Sequence, residues 1–272
     1  MIEVQGRQYA IALLDTNILS EMLKDMDRFG TRVLERIDHR RSFVGITTYS
    51  VQELRRRKDL FDSLVEVMSW LPTVLLKSGG VLLDDEVRCY ATHESMDPIL
   101  LSPLGIQGAD GMSQAEAIRT LLEYRRVVTG EKELESGLDS LWQLYTTRSK
   151  EWMTAGLAPN ARTLRAYATA VCAGQIGARH GSWVAELGKP LDLERFPSVK
   201  SGAYSAFIRF ASDKRKPRRS DVLDLAMASA FPYVDSVGIE AHQAEVLRKI
   251  ARVDPFLDHL DIFTLRELDR LG

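Results

Sequence analysis

Four acidic residues lie where short hydrophobic segments give way to helical patterns. Asp15 ends the run IALLD, and Glu53 follows the run FVGIT by one turn. Asp221 begins the helical pattern SDVLDLAMASA, and Glu240 follows the short run SVGI. Because ligands of open parallel sheets bind beyond the carboxyl ends of the strands, we expect these acids to meet at one edge of a sheet. For Asp15 alone the alternative is a structural helix cap, since Asp is a preferred N-cap residue.

A cluster of carboxylates favours a divalent cation. Oxygen ligands suit Mg²⁺ or Mn²⁺ rather than zinc, and four unpaired carboxylates without a cation would repel one another. Asp224 lies about one helical turn, or ~5.4 Å, beyond Asp221 and is the next candidate ligand. Asp235 and Glu240 bracket a five-step strand and should stand roughly 16 Å apart at ~3.3 Å per residue. We therefore expect Glu240 to be the ligand and Asp235 to be a structural cap.

Small polar side chains adjoin the predicted ligands. They are Thr16, Asn17, Thr47 and Ser50. Side chains of this type can orient carboxylates or metal-bound water. Ordinary turn chemistry explains the same residues equally well, so both interpretations stay open. The five histidines are dispersed, and none has metal-ligand spacing or belongs to a nucleophile motif.

Two basic clusters adjoin the predicted acids. Arg55 and Arg56 follow Glu53 with one residue between. The second cluster, which comprises Lys214, Arg215, Lys216, Arg218 and Arg219, precedes Asp221 with one residue between. Contacts from such clusters would bring a nucleic-acid backbone to an otherwise repulsive acidic site. The alternative is a solvated helix face and a solvated loop. The position beside the acids favours phosphate binding, more strongly for the second cluster.

The composition excludes several classes of protein. With 36 Lys and Arg against 38 Asp and Glu, the net charge of -2 provides no overall basic field, so a polyanion must use a local patch. The two cysteines match neither a disulfide framework nor a zinc motif. No apolar run approaches the ~20 residues that span a bilayer. These features predict a soluble, cytoplasmic protein without a membrane partner.

Three regions of different pattern divide the chain. Short apolar runs alternate with helical patterns near both ends, as is typical of parallel α/β units. Between them the strands disappear and amphipathic helices follow one another. The sequence predicts a discontinuous α/β domain over residues 1–80 and 216–272, interrupted by an all-helical insertion over 81–215.

Four segments together resemble the PIN-domain nucleases, which are metal-dependent enzymes that mostly cut single-stranded RNA. They are LLDTNILSE, ITTYSVQEL, SDVLDLAMASAFPYVDSVGIE and LDIFTLREL, and the resemblance extends over roughly residues 8–76 and 219–272. The resemblance implies a three-layer α/β/α fold, one or two divalent cations and products with 5′-phosphate ends. It assigns the first three acids to Asp15, Glu53 and Asp221 and the fourth to a position near Glu240. The family more often has Asp or Asn after a Thr there, whereas this chain has Ile239 before Glu240.

The sequence thus predicts a divalent-metal-dependent endoribonuclease with catalytic acids Asp15, Glu53, Asp221 and Glu240. The alternative is a catalytically degenerate PIN-like module that binds RNA or protein through its helical insertion. A phosphatase of the haloacid dehalogenase type would need a second Asp where this chain has Asn17. We expect an RNA substrate. The sequence is also compatible with an inhibitory antitoxin-like partner protein and with a homodimer, and with toxin, defence or housekeeping roles.

Overall fold

A mostly parallel sheet forms the centre of the protein, as seen in a computed structural model. The structure describes residues 2–4, 7–92, 94, 96–102, 112–123, 136–143, 146–147, 151, 154–182, 190–213 and 216–270. The strands are β1 (Ile2–Val4), β2 (Arg7–Leu14), β3 (Ser42–Thr47), β4 (Thr73–Leu76), β5 (Ile99–Leu101), β6 (Ser236–Gly238) and β7 (Asp261–Phe263). Their order is β5-β4-β3-β2-β6-β7, and β1 pairs with β2. All neighbours on this path are parallel except β4 and β5, and β1 is antiparallel to β2. The C-terminal region therefore adds β6 directly beside the first long strand and β7 beside β6.

Helices cover both faces of this sheet. They are α1 (Thr16–Lys24), α2 (Thr31–Arg36), α3 (Thr48–Arg55), α4 (Lys58–Trp70), α5 (Gly79–Thr92), α6 (Gln114–Glu123), α7 (Ala161–His180), α8 (Pro197–Phe207), α9 (Arg219–Ala228), α10 (Ala241–Ala251) and α11 (Leu265–Arg270). Short π-helical turns follow α1 and α8, over Met26–Gly30 and Ile208–Ser212. Among the helices of the described ranges, none combines the length and hydrophobicity that crossing a bilayer requires.

The central strands bury both of their faces, which explains why they read as continuous apolar runs. Successive side chains of a strand point to opposite faces. In β2, Ile11 and Leu13 join the core beneath α5, α7, α8, α9 and α10. Ala12 and Leu14 join the core beneath α1, α3, α4, α6 and α11. The fold is thus an α/β arrangement with helices on both sides of a mostly parallel sheet.

The segment expected to be an all-helical insertion differs from that expectation. It contains β5, which pairs with β4 at the edge of the sheet. At least three of its helices also belong to the cores of the sheet, because Leu164 of α7 and Tyr204 of α8 lie in the same hydrophobic cluster as Ile11, and Ile118 of α6 lies in the cluster of Ala12. Amphipathic spacing predicted α6 and α7 but not α8, and the uncovered faces of the sheet decided where these helices pack.

Candidate active site

A cavity of about 330 Å³ lies at the carboxyl ends of β2, β3 and β6. Four acidic residues line it: Asp15, Glu53, Asp224 and Glu240. They come from the residue after β2, from α3, from α9 and from the start of α10. The parallel topology brings them together, since the strands that precede three of these positions all point toward the same edge. Three of the four predicted catalytic acids line the cavity, together with the next candidate, Asp224.

Asp15 is almost completely buried and is held by backbone amides. Its Oδ1 accepts a hydrogen bond from the Ile18 backbone N–H at 2.7 Å, which caps α1. Its Oδ2 accepts from the Glu240 backbone N–H at 2.9 Å. Burial raises the pKa of Asp15 to about 7, and repulsion from Glu240 and Asp224 adds to the rise despite these hydrogen bonds. Asp15 is therefore both the helix cap and a carboxylate of the cavity.

Gly238 at the end of β6 allows Phe263 and Ile18 to pack closely against the strand that borders Asp15. The Asp15 backbone N–H donates to the Gly238 carbonyl at 2.9 Å. A Cβ at position 238 would lie 2.7 Å from ring carbons of Phe263 and 3.0 Å from Cδ1 of Ile18. A residue without a side chain is thus needed where the strand end meets α1 and β7.

Glu53 is coupled to the residue after Asp15. Burial raises the pKa of Glu53, and the nearby Asp224 carboxylate raises it further. A hydrogen bond from the Thr16 hydroxyl and the charge of Arg56 act in the opposite direction. Thr16 thus orients the Glu53 carboxylate, which is one of the two roles considered for its hydroxyl.

Glu240 lies at the cavity, whereas Asp235 lies at the other end of β6. The Asn17 side-chain amide donates to Glu240 Oε1, so Asn17 holds this carboxylate. Asp235 precedes β6, and its Oδ2 accepts from the Ile11 backbone N–H at 2.9 Å. These positions agree with the strand direction deduced from the α/β pattern.

Thr47 and Ser50 line the cavity through a local cap. Thr47 Oγ1 accepts from the Ser50 backbone N–H at 3.1 Å and begins α3, while the two hydroxyl oxygens lie 3.1 Å apart. Both side chains are buried at the cavity wall. Turn chemistry therefore accounts for this pair, and their position also leaves them close to the acids.

Asp221 requires a correction, because its carboxylate is turned away from the cavity. It is 1 % exposed and does not line the cavity. Its Oδ1 accepts from Arg209 at 2.8 Å, and its Oδ2 accepts from the Arg218 backbone N–H at 2.6 Å at the start of α9. Asp224, one turn later, is 31 % exposed and lines the cavity. Burial and the Arg218 backbone N–H on its second oxygen thus distinguish Asp221 from Asp224. Arg209, which no pattern near Asp221 predicted, contacts both acids.

The basic residues are distributed unevenly around this site. Arg218 is exposed and lines the cavity, and Lys216 is exposed nearby in sequence. Arg219 contributes its backbone to the start of α9, while Lys214 and Arg215 lie outside the described residues. At the end of α3, Arg56 is exposed, and the Arg55 guanidinium lies 5.9 Å from the ring centre of Phe61. Of the described members of both clusters, only Arg218 is placed in the cavity wall.

Part of the cavity wall is apolar. Tyr49, Leu223 and Met227 line the cavity. Burial raises the pKa of Tyr49 to about 12, so its hydroxyl stays protonated at neutral pH. Sequence reasoning missed this wall, although Tyr49 stands between the two predicted polar residues of ITTYS.

The donor set fits Mg²⁺ or Mn²⁺ in chemistry, since it consists of carboxylate, hydroxyl and amide oxygens. In the part of the chain that the structure describes, however, no three His, Cys, Asp or Glu side chains are close enough together to hold a metal ion. Repulsion between carboxylates opposes their approach when no cation is present. The acids therefore share a cavity without forming a closed coordination shell.

Comparison of the chain with family models, with curated proteins and with solved structures found no match.

Proposed function

We propose that the protein is a divalent-metal-dependent endoribonuclease that resembles the PIN-domain nucleases and hydrolyses single-stranded RNA to products with 5′-phosphate ends. One observation carries the proposal: four carboxylates from distant parts of the chain line a single cavity at the carboxyl ends of parallel strands. Their proximity contributes to the raised pKa of Asp15 and of Glu53. A bound cation would relieve this repulsion.

The proposed ligands of Mg²⁺ or Mn²⁺ are Asp15, Glu53, Asp224 and Glu240. When bound, such an ion supplies hydroxide at neutral pH and stabilises the negative charge that develops on the phosphoryl oxygens. Thr16 and Asn17 orient two of these carboxylates through side-chain hydrogen bonds. Because metal binding requires ionised ligands, Asp15 must release its proton, and cation affinity should rise as the pH passes through about 7.

Arg218 supports the choice of a nucleic-acid substrate. It is the described cation at the cavity wall, where it can pair with a phosphate next to the scissile bond. Tyr49, Leu223 and Met227 add apolar surface to the lining of the cavity. The proposed function thus assigns substrate binding to Arg218 and the cation to the four acids.

A second candidate function is a metal-free module that binds RNA or protein. It is favoured by the observation that the described acids do not gather into a group that could hold a metal ion. In this alternative Arg218 and the neighbouring Lys216 would bind the nucleic acid, and the acids would serve only as caps and hydrogen-bond acceptors.

Cleavage of a single-stranded RNA oligonucleotide in Mn²⁺, Mg²⁺ or EDTA tests the proposal. We expect metal-dependent products with 5′-phosphate ends and no products in EDTA. Asp224→Asn should abolish cleavage and weaken Mn²⁺ binding while the protein stays folded. Asp235→Asn is the matched control, since its carboxylate lies at the opposite end of β6. RNA binding in EDTA without cleavage in any metal would instead support the binding module.

A further inference from the structure

A completely buried arginine lies behind the cavity. Arg209 belongs to the π-helical turn after α8, and its side chain is 1 % exposed. Its Nη1 donates to Asp221 Oδ1 and to Asp224 Oδ2, both at 2.8 Å. Its Nη2 donates to Oε1 of Gln243 in α10. One guanidinium therefore connects α9 with α10 at the base of the cavity.

The two acids that Arg209 contacts are in different surroundings. Asp221 is fixed on its second oxygen by the Arg218 backbone N–H. Asp224 reaches the cavity, where its charge acts on both Asp15 and Glu53. A buried cation is stable only with good partners, and the planar guanidinium can hold three acceptors in a defined geometry. Arg209 thus fixes the position of Asp224 relative to the buried, immobile Asp221.

We propose that Arg209 is a positioning residue, which holds the Asp224 carboxylate at the cavity wall in the orientation that the divalent cation requires. This proposal rests on the proposed function of the cavity. Hydrogen bonds to metal ligands from the surrounding shell typically change metal affinity or activity by about 10–100-fold. Arg209 would do so from a segment that sequence patterns placed in a helical insertion.

The opposite effect is also physically reasonable and makes the proposal falsifiable. A positive charge 2.8 Å from Asp224 Oδ2 could compete with the cation for that carboxylate. If Arg209 competes, its removal should tighten Mn²⁺ binding. If Arg209 positions Asp224, its removal should weaken Mn²⁺ binding, because the carboxylate gains freedom that the metal must then restrict.

Titration calorimetry with Mn²⁺ alone tests the proposal on the full chain. We expect R209M to weaken Mn²⁺ binding about 10–100-fold. R209K should weaken it less, since lysine keeps the charge but cannot reach three acceptors with a planar fork. In the D224N background, R209M should cause no further loss. Equal loss in both backgrounds, unchanged affinity or tighter binding would each overturn the proposal.

Lys200 provides the matched control, because it is another buried cation with two acidic partners. Its Nζ lies 2.9 Å from both Glu194 and Asp254, and it does not line the cavity. K200M should lower the melting temperature without changing Mn²⁺ affinity. If R209M fails to fold, the double variant R209M/D221N is used instead, because it removes the buried acid together with the cation. Its Mn²⁺ affinity is then compared with that of D221N. An Mn²⁺ affinity equal to that of D221N would then overturn the proposal.

The failure of the proposed function can be distinguished from the failure of this inference. If the wild type binds no Mn²⁺, the proposed function is wrong, whatever the role of Arg209. Crystal structures of the metal-free wild type and R209K then decide the inference by themselves. A displaced Asp224 carboxylate in R209K supports positioning by Arg209, and an unchanged one overturns it.

Discussion

Replacing Asp15 with Asn should change how the stability of the metal-free protein depends on pH. The pKa of Asp15 is raised from 3.8 to about 7, so the folded state keeps its proton over a range in which the unfolded chain is ionised. Stability is therefore lost as the pH rises from about 4 to about 7 and is constant above that range. The full effect is about 4 kcal/mol at about 1.4 kcal/mol per pH unit, and between pH 5 and pH 8 it is about 2–3 kcal/mol. Asn does not titrate, so this loss should disappear in Asp15→Asn.

A second term is independent of pH. Asp15 accepts two backbone hydrogen bonds, and the Asn amide can accept only one of them. Loss of one of these two hydrogen bonds costs about 1–3 kcal/mol. The unfolding free energy of Asp15→Asn should thus be lowest, relative to that of the wild type, at pH 5. At pH 8 this difference should have shifted in favour of Asp15→Asn by about 2–3 kcal/mol.

Urea unfolding in EDTA at pH 5 and pH 8 measures this difference. Titrating groups distant from Asp15 contribute equally to both proteins, so they cancel in the comparison. Mn²⁺ at 100 times its dissociation constant should then stabilise the wild type by about 2.7 kcal/mol and leave Asp15→Asn unchanged. Glu86→Gln is the control, since Glu86 is buried with a pKa of about 7 but does not line the cavity. It should alter the pH dependence and keep the response to Mn²⁺.

Two results would refute this reasoning separately. An equal stability difference between Asp15→Asn and the wild type at pH 5 and pH 8 would show that Asp15 is ionised at both values, so burial and repulsion do not control it. A normal Mn²⁺ response in Asp15→Asn would remove Asp15 from the proposed ligands, whatever its pKa.

Three further predictions concern the rim of the cavity. Glu240→Gln should lose Mn²⁺ stabilisation and cleavage, whereas Asp235→Asn should retain both. A thermal shift with and without Mn²⁺ distinguishes the two variants, and equal responses would contradict the assignment of Glu240 rather than Asp235 to the cation. Arg218→Gln should weaken RNA binding and reduce the slope of log affinity against log salt by about 1, with an unchanged Mn²⁺ response; an unchanged slope would remove Arg218 from the phosphate contacts. Gly238→Ala should lower the unfolding free energy by about 1–3 kcal/mol, since its Cβ would lie 2.7 Å from the Phe263 ring. Urea unfolding measures this change, and a midpoint equal to that of the wild type would contradict the packing argument.

Local sequence already determined much of the sheet and several positions of the site. The apolar runs predicted β2, β3 and β6, because strands buried on both faces need continuous hydrophobic side chains. The position of the residue after such a strand, and of the first turns of the next helix, depends on the few residues next to it in the chain. Asp15 and Glu53 could therefore be selected from the sequence, and the direction of a parallel strand favoured Glu240 over Asp235.

Only the tertiary structure decided between Asp221 and Asp224. Helical periodicity places both on one face, and it is silent on which carboxylate is completely buried. Arg209 comes from another element and pairs with both acids, but only Asp221 is buried and held on its second oxygen by the Arg218 backbone N–H, whereas Asp224 reaches the cavity. Spacing along the chain does not encode this difference. The same reason applies to α7, α8 and β5. Amphipathic spacing shows that a helix must bury one face. It does not show which surface that face covers, because the hydrophobic effect is non-directional and the rest of the fold supplies the apolar partner surface.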